Sequence, residues 1–383
     1  MVAPVTRARD PDESRKRRTT AAAVARVRID CAPMYALILT ACLAAAPESC
    51  APRLLPAGSA PDAAACEAGA GALSANWLAG HPTLTGQGWR CAPLSESPAL
   101  ELAEVAPGVH VHRGTDAGFT PENRGWIANL GVVVGQDRVA VIDPGGSREQ
   151  GEALFAAIAR LTDLPLGPVI LTHPHPDHIA GAEVFAEAGA EIIADARLPE
   201  ALAARADTWA ESIPAQIGAD AWAGTVLVQP DRIISTPETL DLGGRSLTLT
   251  PAPRAHSDAD LTVRDDATGT LFTGDLVFRG LAPVLDGSLK GWLGWLAAPP
   301  DGAPVIPGHG PVAASFAEAA AAQSEYLAGL RDAVRAALDA GLGLSDAVPA
   351  VLAAMQPLAD NWQDFTATTA RNAATAYAEM EWD

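Results

Sequence analysis

Positive charge is scarce in this chain. Lys and Arg number 26 in 383 residues against 46 Asp and Glu, and the formal charge is −20. A field of that sign repels phosphate backbones and anionic lipid, so nucleic-acid and membrane-surface binding are excluded as first readings. Charge of either sign is limited too: DEKR make up 19% of residues and apolar types 49%, which is not the balance of a disordered chain. No uncharged apolar run approaches the ~20 residues of a membrane-spanning helix, and no internal repeats are present. The length allows one large domain with extensions, or two or three units.

Residues 1–33 differ from the rest: they carry Arg7, Arg9, Arg15, Lys16, Arg17, Arg18, Arg26 and Arg28 without apolar periodicity. Met34–Ala46, MYALILTACLAAA, has no charge and ends in small residues before Pro47, the layout of an export-signal core and its cleavage site. Residues 1–46 therefore read as a basic segment and signal peptide, with the periplasm as destination. Arg17-Arg18 offers a twin-arginine variant, and Leu39-Thr40-Ala41-Cys42 a lipoprotein variant. The bland alternative is a short buried helix. Of five cysteines, Cys31 and Cys42 would be lost with the signal. Cys50, Cys66 and Cys91 would then remain in a lead-in over residues 47–100, enough for one disulfide and a spare thiol. Spacing does not settle connectivity; Cys66–Cys91 is the expected pair. None of the cysteines lies near the motifs described below.

The body begins at about residue 100. Val109–Arg113, Ile127–Val134, Val139–Asp143, Val169–Thr172 and Glu191–Ala194 read as strands from their β-branched and apolar content. Arg148–Leu161 and Ala180–Ala188 read as helices between them, and Leu198–Ala223 as mostly helical. A second set of strands follows at Ser246–Thr250, Leu261–Arg264 and Thr270–Thr273. This α/β alternation implies two layers of sheet between helices. Phe316–Leu338 and Thr366–Glu381 are good helix formers, so residues 316–383 read as a C-terminal helical extension of a catalytic domain over 101–315.

Five of the eight histidines fall in three short loops: His173, His175 and His178 in THPHPDH, His256 in AHSD, and His309 in PGHG. In an extended segment side chains alternate, so His173 and His175 project to one side and can share an ion. Pro174 and Pro176 push the histidine before each of them toward extended conformations, which presents the two imidazoles in parallel. Asp177 and His178 arrive where the chain turns into a helix, so their ligand atoms address a neighbouring position. One short loop can thus begin two metal sites. Asp275 lies in LFTGDLVF, which reads as an apolar strand ending in Gly-Asp, and a carboxylate buried there needs a cation or a partner.

In order and spacing, HxHxDH, a later His, a strand-ending Gly-Asp and a last Gly-His-Gly resemble the metallo-β-lactamase superfamily over about residues 105–315. The resemblance implies an αβ/βα four-layer sandwich with one metal on His173, His175 and His256 and a second on Asp177, His178 and His309. It makes Asp275 the bridge between them, and Asp143 the aspartate that supports the metal loop from behind the ligands. PENRGWIANLGVVVG, VAVIDPGGS, THPHPDHIAGAEVF, AHSDADLTV and FTGDLVF followed by LDGSLKGWL are similar to a periplasmic branch, the quinoprotein relay system zinc metallohydrolases. That likeness implies a periplasmic quinoprotein dehydrogenase as partner.

Two adjacent Zn2+ ions lower the pKa of bound water to ~7 and polarise a carbonyl or phosphoryl oxygen, so no Ser or Cys nucleophile is needed. Asp177 is the candidate general acid and base. Nitrogen and oxygen donors without thiolate suit zinc, while iron or manganese fit the same set. The expectation is a dinuclear zinc hydrolase of a small ester, lactone, thioester or amide. The alternatives are a class B-like β-lactamase, an iron-dependent oxygenase of sulfur compounds, and a non-catalytic accessory protein. His81, His110 and His112 read as structural. Trp292 and Trp295, beside Lys290, read as core before pocket wall, and Glu122 and Asn129 as loop structure.

Overall fold

A computed structural model describes residues 34–382. The first unit is β1 (Tyr35–Leu43), β2 (Ala46–Ala60), α1 (Ala63–Gly80) and β3 (Leu84–Pro93). Its antiparallel sheet runs β2-β1-β3, so β1 is the central strand. Leu37 and Leu39 are fully buried there, packed with Leu55, Cys66, Ala70 and Leu84. The run that reads as an export-signal core, Met34–Ala46, thus contributes a central strand here, and the short helix of the bland alternative does not form. A charge-free apolar run looks the same whether an export machine reads it or two neighbouring strands bury it. The partners come from later sequence, which local pattern does not see. Cys42, the candidate lipoprotein cysteine, is bonded to Cys50 across the β1–β2 hairpin, so no spare thiol remains among the described residues. The expected Cys66–Cys91 bond is present and ties α1 to β3. Residues 1–33, with Cys31 and the arginine pair, lie outside the described residues.

The body contains two further sheets. The larger is ordered β10-β9-β8-β7-β6-β5-β4, from β4 (Ala103–Ala106), β5 (Val109–His112), β6 (Leu130–Val134), β7 (Val139–Ile142), β8 (Leu166–Leu171), β9 (Ile192–Asp195) and β10 (Arg232–Ile234). The smaller is ordered β11 to β15, from β11 (Glu238–Asp241), β12 (Ser246–Pro251), β13 (Leu261–Asp265), β14 (Leu271–Phe278) and β15 (Val305–His309). Between the strands lie α2 (Arg148–Leu161), α3 (Pro176–Ile179), α4 (Ala182–Glu187), α5 (Leu198–Ile217), α6 (Ala219–Trp222) and α7 (Leu289–Ala297). After them come α8 (Phe316–Asp339), α9 (Leu344–Met355) and α10 (Phe365–Met380).

Period-two alternation explains the layering. Val139, Val141, Val169, Leu171 and Ile192 pack outward with Leu154, Val184 and Phe185 of α2 and α4. Their neighbours Ala140, Ile142, Ile170 and Ile193 point inward, against Leu247, Leu249, Val263 and Phe272 of the other sheet. Strands buried on both faces read as continuous apolar runs, as these do. At Gly131 the sheets approach so closely that a Cβ would lie 2.3 Å from the Phe272 ring. The outer face of the smaller sheet is covered by α7, α8 and α10, with Trp292, Tyr326, Leu330 and Phe365 in that layer. The result is the expected four-layer α/β sandwich.

The C-terminal helices are part of this outer layer. Gln323 of α8 donates to the Leu276 carbonyl at 2.9 Å and accepts from the Phe278 N–H at 2.6 Å, stitching α8 onto β14. Of the strands missed by sequence reading, β10 and β11 are short and edge-like. β15 is interrupted by proline and glycine, VIPGH, which mask it as a loop.

Candidate metal centre

All candidate ligands sit where chain leaves a strand or turns within one. Asp143 follows β7, the His173 loop follows β8, His256 lies between β12 and β13, and His309 closes β15; Asp275 is inside β14, which does not end at Gly-Asp as expected but runs on through Leu276, Val277 and Phe278. The β14–β15 register shifts on both sides of Asp275, which frees its side chain from the regular ladder. Gly308 leaves it room: a Cβ there would lie 1.9 Å from Asp275 Oδ1.

Two groups of donor atoms result. His173, His175, His256 and Asp275 form one; Asp177, His178 and His309 form the other, and within each group the atoms lie within 4.8 Å of one another. Asp275 spans both. Its Oδ2 is 3.6 Å from His173 Nε2 and 3.4 Å from His256 Nε2. Its Oδ1 is 3.1 Å from His178 Nε2 and 3.3 Å from His309 Nε2. Asp177 Oδ2 lies 3.3 Å from His309 Nε2 and 3.5 Å from His178 Nε2.

Each imidazole turns its other nitrogen to an acceptor. His173 Nδ1 faces Thr172 Oγ1 at 3.0 Å, and His175 Nε2 faces Asp286 at 3.0 Å. His178 Nδ1 faces Asp143 at 2.8 Å, His256 Nδ1 the Val284 carbonyl at 2.7 Å, and His309 Nδ1 the Ile127 carbonyl at 2.9 Å. Such partners fix the tautomer and leave the inward nitrogen unprotonated for a metal. Asp143 does this for both groups at once. It accepts from the Thr172 N–H and hydroxyl at 2.8 and 2.7 Å, so the Thr172 oxygen is left to accept from His173. To aim that carboxylate, Asp143 takes a left-handed backbone, φ 56°.

The parallel presentation expected of His173 and His175 is not what forms. Their rings meet edge to face, at 88°. His173 presents Nε2 and His175 presents Nδ1, because two donors converging on one point must approach it from different sides.

Electrostatics separate the two groups. Burial, reinforced by the neighbouring rings, holds His173 well below its ordinary value. Burial outweighs the nearby carboxylates at His175 and His256, which fall to about 4 and about 3. Burial also opposes protonation of His178 and His309. There Asp275 and Asp177 win, raising His178 well above its usual value and His309 to about 9. A cation would relieve both conditions, since it needs neutral imidazole and ionised carboxylate.

The residues therefore fit a metal pair on their own chemistry. Among the described residues, His173 Nε2 and Asp275 Oδ1 are buried polar atoms without a hydrogen-bond partner, and both point into the cluster. Unmet buried polar atoms are rare and costly unless something binds them. Matching of the chain against family models gives the metallo-beta-lactamase superfamily over residues 123–333.

The chain belongs to the metallo-beta-lactamase superfamily. Solved structures agree on the fold. The stereoselective inverting sec-alkylsulfatase Pisa1 from Pseudomonas sp. is 18% identical, with a TM-score of 0.56 over 75% of this chain and 54% of that one. A Beta-lactamase domain protein from Burkholderia ambifaria is 22% identical, with a TM-score of 0.52 over 75% of this chain and 89% of that one. The chain thus spans about half the length of the alkylsulfatase. No curated protein matches it.

Other candidates fall as the residues suggest. His81 is buried against Trp77 and Glu183, away from the centre. His110 and His112 stay on β5. Trp292 is core, donating to the Leu276 carbonyl at 2.9 Å, although its ring lies 5.4 Å from that of His256. Asn129 is more than loop filling, since its side-chain amide donates to the Pro307 and Gly310 carbonyls, both at 2.8 Å, and so clamps the His309 turn. Sequence reasoning missed Asp286, Arg205, Trp209 and Arg371. A cavity of about 230 Å³ opens over Asp177, Asp275 and His309, and Trp209, Arg205 and Arg371 line it. Asp286 stood in a quoted segment, LDGSLKGWL, but nothing local ties it to His175, 111 residues away.

Proposed function

We propose that the chain is a dinuclear zinc hydrolase of a small ester, lactone, thioester or amide. The observation that carries the two-ion reading is Asp275, one carboxylate whose two oxygens address two separate histidine sets. Zinc ions held there would supply a water of lowered pKa and a Lewis acid for the substrate oxygen. The protein's own contribution is positional. Asp143, Thr172 and Asp286, with the Val284 and Ile127 carbonyls, hold the imidazoles in the tautomers that leave the inward nitrogens free. Asp177, buried at the cavity floor, is placed to take a proton from the attacking water and return it to the leaving group. Phe119, Trp209, Ile213 and Leu281 line the cavity and limit bulk water over the centre.

Elemental analysis of purified protein, run beside a chromogenic ester, thioester and lactam screen, tests this reading. The expected result is two zinc ions per chain and a hydrolysis that chelator abolishes; iron without zinc would overturn it. An alkyl sulfate belongs in the screen because of the fold neighbour named above. Asp177→Asn is expected to lower turnover more than metal content, whereas proportional loss of both would reduce Asp177 to a ligand.

Two disulfides in one small unit support an oxidising compartment, and we place the protein in the periplasm. Its association there with a quinoprotein dehydrogenase rests on the segments that resemble the quinoprotein relay branch. Among the described residues no helix is long and apolar enough to cross a membrane.

A further inference from the structure

The cavity over the metal centre has a charged rim that the hydrolytic chemistry does not use. Arg205 comes from α5 and Arg371 from α10, and both line the same cavity as Asp177, Asp275 and His309. The two guanidiniums converge on one carboxylate. Arg205 Nη1 donates to Asp286 Oδ2, and Arg371 Nη2 to Oδ1 at 3.0 Å. That same Oδ2 accepts from His175 Nε2 at 3.0 Å. Asp286 therefore offsets one of two positive charges while also serving a metal ligand. Asp364, which lines the cavity along with Asp177 and Asp275, is engaged by the Gly118 N–H at 2.8 Å.

Each arginine commits a single nitrogen to Asp286, and its remaining N–H groups have no protein acceptor among the described residues. An arginine presents five donors in a fixed fork, a geometry matched to carboxylate or another oxyanion. Burial lowers both arginines from their ordinary value, and Arg371 and Arg254 lower Arg205 further against the opposing pull of Asp258. Like charges held together in partly desolvated space gain most from an added anion. In a chain whose formal charge is −20, this rim is an exception that needs a reason.

We propose that Arg205 and Arg371 dock the anionic end of the substrate. The enzyme would then take acyl compounds in which a short apolar spacer separates a carboxylate from the reacting carbonyl. Only one imidazole, that of His175, separates Asp286 from the metal cluster, so the docked anion and the reacting group lie at two ends of one small molecule. Trp209 and Ile213 of α5 supply the apolar wall along which the spacer runs. This specificity rests on the hydrolase reading given above, and its test separates the two.

The test uses the zinc-loaded full chain with a matched pair of esters, p-nitrophenyl hemiglutarate and p-nitrophenyl valerate. The acidic ester should be preferred in kcat/KM by about tenfold, mainly through KM, the scale of one or two charge-assisted hydrogen bonds. Arg371→Gln should collapse that ratio, Arg371→Lys should restore part of it, and added salt should weaken it in the wild type. Arg371 is 56% exposed, so its replacement leaves the core intact; elemental analysis reports any loss of metal. A ratio identical in wild type and Arg371→Gln overturns the proposal, as does an equal fall for both esters accompanied by metal loss. Should neither ester be cleaved, the hydrolase reading is damaged and a binding arm decides this one. Calorimetry should show phenylbutyrate bound about tenfold more tightly than phenylbutyramide, with the difference lost in Arg371→Gln. Binding that ignores the substitution would mean that the carboxylate goes to the metals or elsewhere, and would sink the idea.

Discussion

Two buried clusters of charge lie in this molecule, and only one of them is complete. Arg148 is wholly buried at the junction between the N-terminal unit and α2 and α4. Its five N–H groups meet five acceptors: Glu152, Glu183, Glu187 twice, and the Leu54 carbonyl, at 2.8 to 3.0 Å. The Trp77 ring lies 4.7 Å from its guanidinium carbon. Nothing is left over for a ligand. In the histidine centre His173, His178 and His256 are as deeply buried, yet among the described residues His173 Nε2 and Asp275 Oδ1 have no hydrogen-bond partner, and His178 and His309 carry raised affinities for a proton. A saturated cluster is a joint, whereas an unsaturated one is a receptor; counting donors against acceptors distinguishes them where burial and charge alone do not.

Substitutions should separate the two clusters cleanly. The largest effect is expected of Asp275→Ala, which removes the one carboxylate shared by both ligand groups. Elemental analysis should show both ions weakened, and turnover should fall beyond the 10–100-fold typical of an outer partner. Retention of two ions and normal turnover would deny Asp275 its bridging place. Arg148→Met should do the converse. It leaves Glu152, Glu183 and Glu187 facing one another without their cation, at a cost of about 3–5 kcal/mol in urea unfolding, while metal per folded chain stays at the wild-type value. Metal loss in this variant would mean that the joint and the receptor are one system.

Asp143→Asn tests a smaller difference. An amide cannot accept from Thr172 and His178 as the carboxylate does, so metal affinity should drop about 10–100-fold, in both positions rather than one. A competitive chelator titration reads this directly. The smallest effect belongs to His81, whose ring is buried but hydrogen-bonded to Glu183 and the Trp77 carbonyl. Burial lowers its pKa, yet those partners outweigh it and raise the folded value above 6.5. The stabilisation is therefore complete below the unfolded value and is lost as pH rises through the folded one. Thermal melts of wild type and His81→Asn should differ most near about pH 6, by roughly the 0.5–1 kcal/mol of a partly shielded pair, and converge in mild alkali. A gap that widened with pH would reverse the assigned direction.

The ligands themselves were legible in sequence because each lies in a short motif whose proline or glycine neighbours are local. THPHPDH, AHSD, LFTGDLVF and PGHG contain all seven candidate positions, and the family resemblance assigned them to two groups that the fold brings together. Asp143 was legible for the same reason, standing between an apolar strand and a glycine turn. Arg148–Leu161 was read to the residue because its apolar period is a property of one segment. Tyr35–Leu43 was not read as a strand because its pairing partners, β2 and β3, lie later in the sequence. Asp286, Arg205 and Arg371 escaped because an exposed acid or arginine on a loop or helix looks like ordinary surface until three segments meet.

Sequence alone therefore determined the chemical inventory: which imidazoles and carboxylates are present, in which loops, and which strands alternate to build two sheets. Those facts depend on neighbours a few residues apart, where backbone stereochemistry and side-chain period act. Tertiary structure decided the rest. It brought both oxygens of Asp275 between two histidine sets, turned a signal-like run into a central strand, and set two arginines on one aspartate at the cavity rim. Such relations join residues separated by scores of positions, and only packing of the complete chain fixes which distant groups share a dry space.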